Sequence, residues 1–167
     1  VRRQRQMCIR DSNNWLKLPV GRARYGLMLG DDGMVKDDGV TARLAENHFH
    51  MTTTTGAAAA VLDWLEEWLQ TEWPELRVYL TSVTEQWAVA TLSGPAARDI
   101  LNAAGVDIDL ANDAFPFMSM KKGHVSCLPA RLFRISFTGE LSYEINVPSL
   151  YGAALWSKLM KAGEPFG

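Results

Sequence analysis

Cysteine is nearly missing from this chain of 167 residues: Cys8 and Cys127 are the only two. That excludes a disulfide framework and a thiolate zinc site, and it fits a reducing, cytoplasmic setting. Histidine is scarce as well. His48 and His50 share one strand face, but no third ligand stands near them at metal spacing, so no metal site is expected. No stretch reaches the ~20 consecutive apolar residues that a membrane-crossing helix needs; the run GAAAAVL is soon followed by Asp63, Glu66 and Glu67. The N-terminus lacks the apolar centre of a secretory signal. A G-x-S-x-G elbow is absent, and the glycines form no phosphate-cradling loop. Neither sign of charge dominates, with 17 basic and 19 acidic residues and a net charge of −2. Residues 1–12, VRRQRQMCIRDS, hold four of the arginines and one aspartate, and without them the net charge is −5. A nucleic-acid role would therefore rest on that arm alone, and no nucleic-acid or membrane partner is expected.

What is present is an ordinary apolar content of 47 %, enriched in tryptophan and methionine, enough for one domain with a sizeable core or an apolar pocket. RYGLMLG (24–30) reads as a buried strand closed by the turn signal DDG at 31–33. MVKDDGVTARL and AENHFHMTTTT read as two strands about a turn near Ala45–Asn47. From Gly56 the chain reads as a helix, with Val61, Leu62, Leu65, Trp68 and Leu69 on one face and Pro74 marking its end. Trp64 and Trp68 are expected in the core. LRVYLTSV (76–83) and WAVATLSG (87–94) read as strands, and PAARDILNAAG as a helix opened by Pro95 and closed by Gly105. DIDLANDAFPFMSM reads as irregular. HVSCLPARLFRISF and LSYEINVP follow as strands separated by TGE, and SLYGAALWSKLMKAG as an amphipathic helix. Strands and helices alternate in blocks, which predicts an α+β fold of mixed or antiparallel sheets with flanking helices.

Two carboxylate pairs carry the candidate chemistry. Asp37 and Asp38 fall mid-strand, where alternation sends one to solvent and the other inward. The GDDG turn lacks the remainder of a calcium loop. In FTGELSYEI, Glu144 lies between Tyr143 and Ile145, so it sits on the wet face of a strand or is buried with a polar partner. Cys127, flanked by apolar residues, reads as a core thiol, and His124 in KKGH as turn surface.

Three motifs in order, GRARYGLMLGDDGMVKDDGVTARL, LSGPAARDIL and RISFTGELSYEINVP, resemble the folate-binding aminomethyltransferase fold of the glycine cleavage T-protein. NNWLKLPVGRARYG, TSVTEQWA and FTGELSYEI are most similar to the C-terminal region of sarcosine oxidase alpha subunits. The resemblance covers residues 13–167, as a partial domain cut at both ends. It implies tetrahydrofolate binding and transfer of a one-carbon unit, from formaldehyde or an iminium, to give 5,10-methylenetetrahydrofolate. It places Asp38 at the family's catalytic aspartate beside the folate nitrogens. It places Glu144 at the glutamate that hydrogen-bonds the pterin, Phe137 at an aromatic position that packs on the ligand, and Val40 as a wall on the Asp38 face. Met34, Phe137 and Ser142 depart from the motif's Gly, Tyr and Gly. The chemistry suits the residue types, since a carboxylate accepts from an amino-pyrimidine edge in bidentate fashion and stabilises positive charge developing at a neighbouring nitrogen.

The resemblance further implies partner subunits of a sarcosine oxidase complex, with flavins and NAD confined to parts outside this chain. The alternatives are a glycine cleavage aminomethyltransferase and a non-catalytic folate-binding or interaction domain; the K-G-C-Y motif of the iron–sulfur assembly relatives is absent, with KKGH at 121–124. Residues 1–12 read as non-native, adapter-like text joined to the domain near Ser12.

Overall fold

A computed structural model describes residues 14–167, so the reading of residues 1–12 lies outside the described residues. The chain divides into two units, the first running to Ser82 and the second from Val83 to Gly167.

The first unit is built on a meander of β1 (Ala23–Leu29), β2 (Val35–Ala45) and β3 (His48–Met51), antiparallel in that order. Its first turn follows the sequence signal closely. Gly33 takes φ +78°, Asp32 Oδ1 accepts the Met34 N–H at 3.0 Å, and Gly30 N–H closes on the Met34 carbonyl at 2.8 Å. Arg43 then ties the entering chain to the sheet by donating to the carbonyls of Leu18 at 2.9 Å and Glu46 at 2.6 Å. Beyond β3 the threonine run folds back along β2. Thr52 N–H donates to the Val40 carbonyl at 3.0 Å, and Thr52 Oγ1 accepts the Val40 N–H at 3.1 Å. This approach needs Gly39, where a Cβ would run into the Thr52 carbonyl oxygen.

Helix α1 (Ala58–Thr71) forms where the apolar spacing predicts, but it buries only Val61. Trp64 and Trp68 are half-buried, not core: Lys36 Nζ lies 5.2 Å from the Trp64 ring, and Trp68 stacks on Trp73 at 5.7 Å. Residues 76–83 form no strand. Their alternation is real, yet a strand exists only by pairing, and the sheets among the described residues end at β1 and β3 and at β4 and β5. Leu76, Val78 and Tyr79 are left exposed.

The second unit holds a four-stranded antiparallel sheet in the order β4-β7-β6-β5, from β4 (Trp87–Ser93), β5 (Ser119–Val125), β6 (Leu128–Arg134) and β7 (Ser142–Pro148). Helices α2 (Ala97–Ala103) and α3 (Gly152–Gly163) supply Leu101, Leu155 and Leu159 to a core with Leu132, Tyr143, Ile145 and Val147. Each such side chain contributes about 1.5–3 kcal/mol by leaving water. The sequence reading misses β5, because MKKGHV carries two lysines and a glycine where a strand pattern would have apolar residues. The hairpin joining β5 to β6 is also unmarked: Ser126 occupies the first turn position at φ +58°, a place where glycine is usual. Cys127 follows it at the tip and is exposed. Its apolar neighbours Val125 and Leu128 belong to the two strand ends, and the thiol is not in the core. The architecture is thus α+β, with antiparallel sheets and flanking helices.

Candidate functional site

Asp37 and Asp38 are consecutive in β2 and project to opposite faces. Asp37 is the buried one, and its Oδ2 accepts the Thr54 N–H at 3.1 Å; it helps to hold the threonine run in place. Asp38 is half-buried, and its Oδ2 accepts a hydrogen bond of 2.6 Å from the Tyr25 hydroxyl. The register explains this meeting. Leu27 lies opposite Asp38 and Tyr25 opposite Val40, which makes Tyr25 the diagonal neighbour of Asp38 on one face. The carboxylate's grip on the phenol proton raises the Tyr25 pKa, and desolvation and the charge of Asp38 push the same way. Val40 shares this face and is held by Thr52. The first unit therefore presents an acid, a phenol and an aliphatic wall side by side.

Glu144 belongs to β7 of the second unit. Tyr143, Ile145 and Val147 turn to the apolar cluster, so Ser142, Glu144 and Asn146 turn to the opposite, outer face, on which Ser142 and Asn146 are themselves buried. Thr91 of β4 and Phe133 of β6 flank Glu144 in register, while the Ser142 and Ser93 hydroxyls pair beside it at 2.7 Å. Sequence reasoning leaves Glu144 either wet or buried with a partner. The structure finds a third arrangement: the carboxylate is half-buried, with no hydrogen-bond or ion-pair partner among the described residues, and burial raises its pKa. A group held in this way is open to a ligand that brings its own donors. Phe137, in the loop between β6 and β7, is fully exposed.

Several polar contacts escaped the sequence reading. Tyr25 has no motif, and only the meander register reveals it. His124 lies within β5, not in a turn, and its Nδ1 is 2.8 Å from Asp107 Oδ2. Asp107 Oδ1 also accepts the His124 backbone N–H at 2.6 Å. That backbone bond, then the imidazole bond, hold the Asp107 carboxyl below its ordinary range. Arg131 lays its guanidinium 3.9 Å from the Trp87 ring centre. Among the described residues no cluster of three metal-ligating side chains occurs, and no helix is long and apolar enough to cross a membrane.

Comparison with known proteins bears on all of this chain except its first residues. The family described as the GCVT N-terminal domain matches residues 7–167. The sarcosine oxidase subunit alpha of Corynebacterium sp. (strain P-1) is 56 % identical over 156 residues, which is 93 % of this chain and 16 % of that protein. The chain thus spans about a sixth of the length of that curated relative. Among solved structures, the glycine cleavage system aminomethyltransferase T from Bartonella henselae shares the fold with a TM-score of 0.77 at 24 % identity, covering 96 % of this chain and 41 % of that one. The heterotetrameric sarcosine oxidase from Corynebacterium sp. U-96, in complex with pyrrole 2-carboxylate, matches with a TM-score of 0.65 at 21 % identity, over 89 % of this chain and 68 % of that one.

Proposed function

Since the chain belongs to the family of the GCVT N-terminal domain, we propose that it binds tetrahydrofolate and serves one-carbon transfer within a sarcosine oxidase-like protein. The observation that carries this reading is the half-buried carboxylate of Glu144, which has no partner among the described residues. The amino-pyrimidine edge of a pterin offers two adjacent N–H donors, and a carboxylate accepts both at once. In the free chain Glu144 bears the desolvation of its charge without compensation, and the pterin supplies what is missing.

Asp38 is assigned the chemical step. Formaldehyde and the two folate N–H groups give a methylene bridge and water: two C–N bonds form, and the carbonyl oxygen leaves with the two nitrogen-bound hydrogens. An iminium ion develops between the two bond-forming events, and a carboxylate at the reacting nitrogens stabilises that positive charge. The Tyr25 hydroxyl, bonded to Asp38 Oδ2 at 2.6 Å, orients the carboxylate toward that task. Val40 walls the same face, and Phe137 is available to pack on the ligand. The high identity to sarcosine oxidase subunit alpha favours that setting over a free-standing glycine cleavage enzyme. In that setting flavin, NAD and partner subunits of a cytoplasmic complex act through parts of the relative beyond this chain.

Calorimetry of tetrahydrofolate binding to the 167-residue chain and to its Glu144→Gln variant tests the reading. The expected result is binding by the parent and a loss of at least about tenfold in the variant, the worth of one hydrogen bond to a charged group. Equal affinity in the two would remove Glu144 from the site. Asp38→Asn is expected to leave binding in place and to slow formaldehyde transfer by about a hundredfold or more.

A further inference from the structure

The outer face of the second unit's sheet ends in a cleft of about 390 Å³, lined by Trp87, Lys122, Gly123, His124, Pro129 and Arg131. The cleft is open, so a ligand held in it stays partly in water. Lys122 and Arg131 are directly opposite in the β5–β6 register, on the face away from the core. Facing side chains in such a pair start about 5 Å apart, and two like charges placed there repel. Neither is paired with a carboxylate among the described residues. A protein whose folded part is acidic has nevertheless placed two cationic residues opposite each other in this ladder.

The acceptors nearby are the Asp107 carboxylate, which is engaged by His124, and Glu144, diagonal to Arg131 in the β6–β7 register and not bonded to it. Arg131 places its guanidinium carbon over the Trp87 ring, 3.9 Å from its centre, a contact that restrains the side chain and leaves its N–H groups without a hydrogen-bond partner among the described residues. Burial lowers its pKa, as expected for a cation partly withdrawn from water. Asn146 of β7 is opposite Arg131 in the β6–β7 ladder, buried beneath the cleft and not among its lining residues. His124 lies on the same face as Lys122. Its Nδ1 is fixed by Asp107, which leaves Nε2 as the ring's remaining polar atom. Gly123 permits that arrangement, because a Cβ there would run into Asp107 Oδ1 and Ile108.

We propose that this cleft is an anion site in which a small dianion with paired oxygens, a phosphate monoester or a dicarboxylate, bridges Lys122 and Arg131. A bridging dianion turns the like-charge pair from a repulsive contact into a clamp, with Arg131 supplying a planar fork and Lys122 a point charge. The proposal uses neither Glu144 nor Asp38 as a ligand group, although Glu144 lies diagonal to Arg131 on the same face.

The test follows the Trp87 indole N–H by NMR in the 167-residue chain, titrated with inorganic phosphate or with glutarate at constant ionic strength. A saturable shift is expected, weakened about tenfold by Lys122→Gln or by Arg131→Gln. Lys121→Gln serves as the control and is expected to leave the shift unchanged, since Lys121 sits over Phe115 at 5.7 Å, on the core side. Saturation by phosphate alone assigns phosphate monoesters, and by glutarate alone dicarboxylates. A shift that grows linearly with both probes, or that is equal in the parent and the two variants, overturns the site. A second reading needs no ligand resonance. In anion-free buffer Lys122→Gln, at an exposed position, relieves the repulsion and raises the melting temperature by about 1–3 °C. Added phosphate or glutarate then removes the difference, and a variant that melts lower than the parent under both conditions contradicts the clamp.

Discussion

The second unit secures its sheet with a continuous apolar cluster that gathers Leu101, Phe115, Leu132, Tyr143, Ile145 and Leu155; the helix of the first unit buries Val61 alone. The two therefore hold their functional carboxylates by different means. Glu144 is fixed because its strand neighbours Tyr143 and Ile145 are locked in the core, and the other face of β7 follows. Asp38 is fixed by hydrogen bonds: the Tyr25 hydroxyl donates to its carboxylate, Thr54 N–H donates to Asp37, and Val40 N–H donates to Thr52 Oγ1. Packing makes the first placement insensitive to polar substitutions. Hydrogen bonding makes the second sensitive to single atoms.

Substitutions that remove each device separate these cases. Tyr143→Ala is expected to cost about 4 kcal/mol, as a large core truncation does, while Val61→Ala costs about 1 kcal/mol. Urea unfolding of the two variants gives both values, and similar costs would break the contrast. Gly39→Ala comes next, at about 2–3 kcal/mol, because the Thr52 carbonyl must retreat from the added methyl. Hydrogen exchange at Val40 and Thr54 should rise in that variant while Ile145 stays protected. Tyr25→Phe should leave the fold unchanged and slow formaldehyde transfer by about tenfold, the effect of one hydrogen bond to a charged group; an unchanged rate would free Asp38 from its phenol.

The smallest effect has an informative sign. Burial raises the Glu144 pKa, so the folded state binds its proton more readily than the unfolded chain does. The resulting stability is complete below the ordinary glutamate range and is lost as pH rises through the raised value. Near neutral pH the ionised group therefore works against the fold. Glu144→Gln should stabilise the chain there by less than about 1 kcal/mol, the figure being reduced for the solvent that still reaches the carboxylate. The gain should vanish on acidification. A variant that is less stable at neutral pH would mean the carboxylate has a partner.

Much of this was legible in the residues. The GDDG turn, the meander around it, the amphipathic pattern of α3 and the core alternation of β7 all follow from local spacing. Legibility ended where a structure depends on pairing. LRVYL alternates as a strand should and forms none, whereas SMKKGHV lacks the pattern and is paired along its whole length to β6. The exposure of Cys127 turns on a two-residue hairpin with serine at positive φ, which carries no composition cue. The carboxylates show the same division. Their positions can be read from the motifs, but the Tyr25 hydroxyl on Asp38 and the lack of a Glu144 partner among the described residues depend on cross-strand register and burial.

The most direct test of the account is a carbon-13 NMR titration of the Glu144 side-chain carboxyl, with and without tetrahydrofolate. The Glu144 carboxyl is expected to titrate above the ordinary glutamate range in the free chain, and lower on adding the ligand as pterin N–H donors come to favour the charged form. A carboxyl that titrates identically in both conditions, while the ligand binds, would contradict the assignment of Glu144 to the pterin.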